Sequence, residues 1–322
     1  MKYFSLFSGI GGFELGIIKA YVEITNGDQV PKGKRNKKAN DAKGKRLEST
    51  AGKGADASKG QSLQLLDWNN DPRAPHCVGY SEIDKYAIQI YEKYFNHKNY
   101  GDIRKINTKQ LPDFDVLIGG FPCQSFSVAG KRKGFKDTRG TLFFEIARIV
   151  AAKRPKLLLL ENVKGLLSHQ EGRTFGTILS TLDELGYDLQ WQVLNSKNFG
   201  VPQNRERVFI VGHLRGEGRP EIFSLEKDDR GNSEQHVPKQ KTSRGVRNMS
   251  DLKSRWRHTM RIRKLTPTEC ERLQGFPDGW TDGVSETQRY KTLGNAVTVN
   301  VVQAIVEKLL FTGSRKNYVQ RK

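Results

Sequence analysis

The chain has 322 residues, 36% of them hydrophobic, and a formal net charge of +20. That length can bury one large core and a smaller second one. The charge favours a polyanionic partner over an acidic or apolar one. Its three cysteines (Cys77, Cys123, Cys270) have no paired spacing, which argues against a disulfide framework or a zinc cluster. No apolar run approaches the length of a membrane span, and glycines and Glu14 interrupt the only signal-like stretch at the start. A reducing, cytoplasmic setting without membrane attachment is expected.

In chain order, Lys2 to Phe7 reads as a first strand, Ser8-Gly9-Ile10-Gly11-Gly12 as a turn, and Phe13 to Ile24 as a helix. A strand, a Gly-rich turn and a helix suit a nucleotide-type cofactor at a helix N-terminus, and suit an ordinary tight turn equally well. Residues 26–62 carry ten basic side chains against four acidic ones and almost no apolar residue. They read as a disordered basic insertion in a surface loop. His76 to Ser81 is the second expected strand, and Tyr86 to Phe95 the second helix. Glu82, at the end of that strand, is where a cofactor ribose is commonly held, and Asp84 reads as a helix cap. Asp102 follows Gly101 in a turn, where a plain turn aspartate and an adenine-binding carboxylate are both open.

Asp115-Val116-Leu117-Ile118 is a short buried strand leading into Gly119-Gly120-Phe121-Pro122-Cys123-Gln124-Ser125-Phe126-Ser127. The Gly-Gly pair reads as a flexible turn and Pro122 fixes the path, so Cys123 sits in a strand-end loop, where ligands bind in parallel α/β sheets. Thr141 to Ala152 and Phe175 to Leu185 have helical spacing. Leu157 to Leu160 is a buried strand that stops at Glu161-Asn162-Val163; a carboxylate at the end of a buried strand is costly unless it is hydrogen-bonded. Tyr187 to Asn195 and Val208 to Val211 are further strands. Between them, Gln203, Arg205 and Arg207 alternate, so on a strand they would share one face, either as an anion or carbonyl site or as a solvated edge. Residues 213–264 are basic and poor in periodic apolar positions. Thr266-Pro267-Thr268-Glu269 carries the signature of a helix start with a capping box, and Leu293-Gly294-Asn295-Ala296-Val297 is expected to open a last helix through Leu310.

A thiol, a strand-end carboxyl, two arginines and an adenosine-type pocket together suit alkylation at C5 of cytosine. Thiolate addition at C6 makes C5 nucleophilic, a carboxyl at N3 and a guanidinium at O2 stabilise the charge that develops, and loss of the C5 proton releases the thiol. The target atom cannot be reached inside a duplex, so the base must be flipped out.

The ordered set Phe7 to Gly12, Gly120 to Ser127 with Gly130 to Phe135, Glu161 to Val163, Gln203 to Arg207, Leu265 to Cys270 with Leu273 to Pro277, and Gly294 to Val297 resembles the DNA cytosine-5 methyltransferases of bacterial and phage restriction-modification type, across nearly the whole chain. The resemblance implies an α/β fold: a Rossmann-like, S-adenosylmethionine-dependent sheet flanked by helices, with a smaller DNA-recognition domain. It implies Cys123 as nucleophile, Glu161 at N3, Arg207 at O2, and Arg205 supporting the flipped nucleotide and the active loop. It also implies a cofactor site of Phe7, Gly9, Gly11, Gly12, Glu82, Ile83, Asp102, Pro122, Asn295 and Val297, and DNA contacts from Gln124, Ser127 and Arg205. The domains would be 1–211 (catalytic, with the basic insertion at 26–72), 212–288 (target recognition), 289–312 (a returning helix) and 313–322 (a basic tail). Double-stranded DNA is the implied partner of a monomeric enzyme, with a cognate restriction endonuclease as its companion. Two features depart from the pattern: the basic insertion, and a short recognition segment without the Thr-Leu element that members carry there. Minimal, degenerate or partner-supplied recognition, and with it an inactive or incomplete DNA-binding homologue needing a partner subunit, is the corresponding alternative. A tRNA cytosine-5 methyltransferase shares the core motifs, whereas a nicotinamide oxidoreductase or a non-catalytic DNA-binding module accounts for only part of them.

Overall fold

The computed structural model describes residues 1–28, 71, 73–122, 142–216, 222–223 and 263–319. The expected disordered insertion starts later than residue 26, because the first helix continues to Asp28; residues 29–70, Cys123, Gln124, Ser127, the Gly130 to Phe135 extension and most of the recognition segment lie outside the described residues.

Six strands form one sheet: β1 (Lys2–Leu6), β2 (His76–Ser81), β3 (Val116–Gly120), β4 (Leu157–Val163), β5 (Tyr187–Asn195) and β6 (Glu206–Leu214), in the order β2-β1-β3-β4-β6-β5. β1 to β4 are parallel, while β6 runs antiparallel to both β4 and β5. The expected α/β class is therefore observed, with an antiparallel edge. The chain moves outward from β1 to β2 and then returns to β3 on the other side of β1. The direction reverses beyond the carboxyl ends of β1 and β3, where the ligand crevice of such sheets lies.

Alternation within the strands sends side chains to two cores. On one face Phe4, Leu6, Leu117, Leu158, Leu160 and Ile210 pack against α3 (Leu142–Lys153) and α4 (Arg173–Glu184). On the other, Tyr3, Ile118, Leu159 and Phe209 pack against α1 (Gly12–Asp28) and α7 (Val299–Val319). A third cluster joins Ile10 and Leu15 to α2 (Lys85–Tyr91) and to Phe276, Trp280 and Leu293 from the C-terminal part of the chain. Trp280 donates from Nε1 to the Ile10 carbonyl (2.9 Å) and stacks on Tyr94. Phe276, Trp280 and Leu293, from the described residues after Lys264, thus pack against the turn after β1 and the start of α1.

Several local expectations hold. Asp84 caps α2, accepting from Tyr86 N and Ala87 N. Thr266 and Glu269 make the capping box of α5 (Pro267–Leu273). Others are corrected. Gly119 and Gly120 are the last residues of β3 rather than a turn: a Cβ at Gly119 would meet the Leu6 carbonyl at 2.8 Å, so the pair allows close strand packing. β6 begins at Glu206, so Gln203 and Arg205 precede the strand and do not share its alternation with Arg207. Leu293 to Val297 does not open a helix. It ends α6 (Glu286–Asn295) at an extended Ala296, and α7 starts at Val299.

Beneath the turn after β1, Glu14 is fully buried in the first turn of α1. Tyr91 Oη lies 3.2 Å from Glu14 Oε1 and 2.8 Å from His97 Nδ1. Burial pushes the Glu14 carboxyl from its ordinary 4.5 up to about 7, against weaker opposing hydrogen bonds from Ser5, its own backbone and Tyr91. Burial, with the nearby His76, pushes His97 down to about 4. The folded protein therefore holds a proton on Glu14 at pH values where the unfolded chain has released it. The unfolding free energy of the wild type, measured against Glu14→Gln by urea titration, is expected to fall as pH rises from about 4.5 to about 7. The fall should reach up to about 3 kcal/mol and level off above that range. Parallel pH profiles for the two proteins would contradict this assignment.

Candidate active site

Around the crevice, β1 delivers Phe7 and the Ser8 to Gly12 turn, β2 delivers Glu82, β3 delivers Phe121 and Pro122, and β4 carries Glu161. Phe7 has a positive φ of 53°, a conformation that costs a non-glycine residue energy and persists only where its surroundings enforce it. Glu82 ties the first two loops together: Oε2 accepts from Gly9 N (2.9 Å), and Oε1 accepts from Ile83 N and Asp84 N. A carboxylate offers about four lone-pair sites, so these three bonds leave capacity for one more donor. Asn99 sets the depth of this corner, its Oδ1 accepting from Gly101 N and Glu82 N. No spacing or motif singles out Asn99 for this place. Asp102 caps a short turn, and its carboxylate grips Arg104, which holds its proton affinity below the usual range.

The cradle has room. A Cβ at Gly9 or at Gly101 would meet nothing within 4 Å, and Ile83 is 67% exposed, an apolar face beside the Glu82 carboxylate. Open backbone, one spare carboxylate acceptor and an exposed aliphatic face fit an adenosine-type group. Val297 closes the other side: its Cγ1 lies 2.9 Å from where a Cβ on Gly12 would stand. Asn295, on the same link, is exposed.

The second half of the site is built on β4 and β6. Antiparallel pairing places Val163 opposite Arg207 and Glu161 opposite Phe209, so Glu161 and Arg207 are diagonal neighbours on one face. Arg207 Nε donates to Glu161 Oε1 at 3.0 Å, with little of either side chain exposed. Burial raises the Glu161 pKa, and the charges of Arg207 and then Arg205 oppose the rise. Gly120 lies opposite Glu161 in the β3–β4 register, and a Cβ there would stand 3.0 Å from Glu161 Oε2. The glycine thus leaves space for the carboxyl group at the end of β3.

Arg205 is also near Glu161, but its Nη2 donates to the carbonyls of Gly294 (2.9 Å) and Ala296 (2.7 Å). Asn162 is a further functional residue, embedded in an expected motif without a role of its own. Its buried amide donates to the Phe121 carbonyl at 2.8 Å and so fixes the exit of β3 two residues before Cys123. Pro122 is exposed at that exit. Of the described cysteines, Cys77 is pushed up to about 12 by burial, and burial also raises Cys270, so neither offers a ready thiolate. No helix among the described residues is long and apolar enough to cross a membrane.

A family profile described as C-5 cytosine-specific DNA methylase matches residues 66–255 and 217–310. The chain belongs to that family. It is a DNA (cytosine-5-)-methyltransferase, with relatives of restriction-modification type. Type II methyltransferase M1.ScrFI of Lactococcus lactis subsp. cremoris is 42% identical over 275 residues, covering 71% of each chain. Type II methyltransferase M.HhaI of Haemophilus parahaemolyticus is 37% identical over 293 residues, covering 75% of this chain and 89% of the relative. Among solved structures, the S. pombe Dnmt2 methyltransferase superposes with a TM-score of 0.63 at 19% identity, covering 98% of this chain and 99% of that one. A putative prophage-encoded DNA modification methyltransferase from E. coli gives a TM-score of 0.58 at 18% identity, covering 96% and 98%. At those identities the two structures bear on the fold alone.

The geometry around Gly120 carries a prediction. In Gly120→Ala the new methyl group would crowd Glu161 Oε2, and the carboxyl would have to shift by a few tenths of an ångström from its place beside Arg207. Methyl transfer to unmethylated DNA should fall by at least about tenfold, with DNA affinity within about twofold of wild type. Unchanged turnover would mean that the carboxyl position is not critical.

Proposed function

We propose that this methyltransferase uses S-adenosylmethionine to methylate C5 of a cytosine flipped out of double-stranded DNA, through a transient bond between Cys123 and C6. The observation that carries the reading is the half-buried Glu161–Arg207 pair on β4 and β6, beside the end of β3, the strand that leads to Cys123.

The roles follow from chemistry. Cys123 adds as thiolate to C6. Glu161, whose burial favours the protonated form, supplies a hydrogen bond to N3 as the pyrimidine gains electron density. Arg207 holds that carboxyl in place through Nε, its Nη1 donates to the Glu206 carbonyl (2.9 Å), and Nη2 would face O2. The C5 proton is then removed and the thiol is expelled, restoring the aromatic ring. Gln124 and Ser127, in the loop that carries the thiol, would meet DNA. For the cofactor, Glu82 has capacity for a ribose hydroxyl, and Phe7 and Ile83 offer apolar surface to the adenine. Asp102 would take the adenine amino group beside Arg104, while Gly9, Gly11, Gly12, Pro122, Asn295 and Val297 complete the walls. When bound, S-adenosylmethionine supplies an electrophilic methyl group on a sulfonium sulfur. A monomeric state and a companion restriction endonuclease belong to the same reading.

The test incubates purified protein with tritiated S-adenosylmethionine and either unmethylated genomic DNA or tRNA, followed by bisulfite sequencing. Label at a fixed DNA motif is expected. Label confined to tRNA would overturn the DNA assignment, and no label in either would point to recognition supplied by a partner subunit. Cys123→Ser should abolish methyl transfer. Glu161→Gln should slow it by about 10²–10³ with DNA binding retained, the scale of losing one transition-state contact. Full activity in either variant would remove that residue from the site.

A further inference from the structure

Two arginines stand close together before and on β6, and they are wired differently. Arg207 pairs with a carboxylate. Arg205 instead spends Nη2 on two backbone carbonyls, Gly294 O and Ala296 O, at the C-terminal end of α6. The last carbonyls of a helix lack intrahelical partners and carry the negative end of its dipole, so a guanidinium there acts as a cap. The backbone of Arg205 is itself fixed, its N–H donating to Asn195 Oδ1 and its carbonyl accepting from Ser196 N and Ser196 Oγ.

The capped segment is short and leads straight to the cofactor turn. After Ala296 the chain is extended, and Val297 lies against Gly12 at the start of α1. Other bonds hold the same link from behind: Gln274 Nε2 donates to Leu293 O, Val299 N donates to Gln274 O, and Ser196 Oγ meets Thr298 Oγ1. None of these reaches Gly294 or Ala296. Arg205 therefore fixes the part of the wall that carries Asn295 and Val297.

We propose that Arg205 is a positioning residue for the methyl donor: by capping α6 it holds the 294–297 link against the glycine turn, and it is not primarily a contact to DNA. This rests on the assignment of that link as a wall of the cofactor site. It replaces the direct nucleotide contact that the family resemblance suggests for this position.

Binding of S-adenosylhomocysteine by isothermal titration calorimetry without DNA, and binding of duplex DNA by fluorescence anisotropy, separate the two roles. In Arg205→Ala the dissociation constant for S-adenosylhomocysteine should rise about tenfold, the scale of losing charged hydrogen bonds at one end of the wall. DNA affinity should stay within about twofold. KM for S-adenosylmethionine should rise with kcat largely kept at saturating cofactor. Arg205→Lys, which keeps a cation that can reach a carbonyl, should recover most of the loss. Unchanged cofactor binding with weakened DNA binding, or a fall in kcat that saturating cofactor does not restore, would overturn the proposal. If the alanine variant fails to fold, judged by circular dichroism, Arg205→Gln decides: cofactor affinity lowered about threefold or more with DNA affinity kept supports the role, and the reverse pattern overturns it. Wild-type protein that transfers methyl groups to DNA while Asn295→Ala and Val297→Ala leave cofactor binding unchanged would overturn this inference and leave the enzyme assignment standing.

Discussion

The carboxyl group of Glu161 is held near the end of a central strand, against Arg207 and out of bulk water. An unpaired carboxylate in that position would cost several kcal/mol, and an arginine removed from its partner would be left in a comparable state. The pair therefore stands only because three strands agree in register. β3 and β4 bring Gly120 opposite Glu161, and β4 and β6 set Arg207 diagonally from it. A slip of one residue in either pairing would turn one partner to the other core. The doubly covered sheet fixes that register, because the two sets of apolar side chains on β3, β4 and β6 must each face their own helices.

From this pair outward the chemistry is distributed by topology. The crevice at the reversal point between β1 and β3 lies beside the strand that ends in Phe121 and Pro122. A donor in the crevice and a base at Glu161 would thus meet over the same strand end. The positive φ of Phe7, the three backbone bonds into Glu82 and the amide brace from Asn162 to Phe121 spend conformational freedom on holding this corner still. Such preorganisation lets the site stabilise developing charge without rearranging during the reaction. The buried, proton-holding Glu14 and its neighbours Tyr91 and His97 form the floor under the same turn.

Much of this was legible in the sequence, where the signal was local. Apolar runs at Val116 to Ile118 and Leu157 to Leu160 marked central strands, and Asp84 and Thr266 marked helix starts through chemistry that acts within three residues. The requirement behind Gly119 and Gly120 was not legible as such: the close approach of Leu6 and Glu161 comes from neighbouring strands distant in sequence, so the glycines read as a turn. Helix α6 shows no apolar stripe, with Thr292 and Leu293 its buried residues, and so it escaped periodicity. The partners of Arg205 lie about ninety residues away along the chain, and no spacing rule reaches them. The proposed nucleophile is assigned from the sequence motif, because Cys123 lies outside the described residues.

The proposed covalent route runs through the Cys123 thiol, and duplex DNA carrying 5-fluorocytosine at the target position traps it. Fluorine at C5 leaves no proton to remove, so the bond from sulfur to C6 cannot be resolved after the methyl group has been added. The account predicts a stable protein–DNA adduct that forms only with S-adenosylmethionine present, maps to Cys123 by peptide mass spectrometry, and is lost in Cys123→Ser. Methylation of ordinary cytosine by the same preparation, with no adduct on the fluorinated duplex or an adduct at another residue, would contradict it.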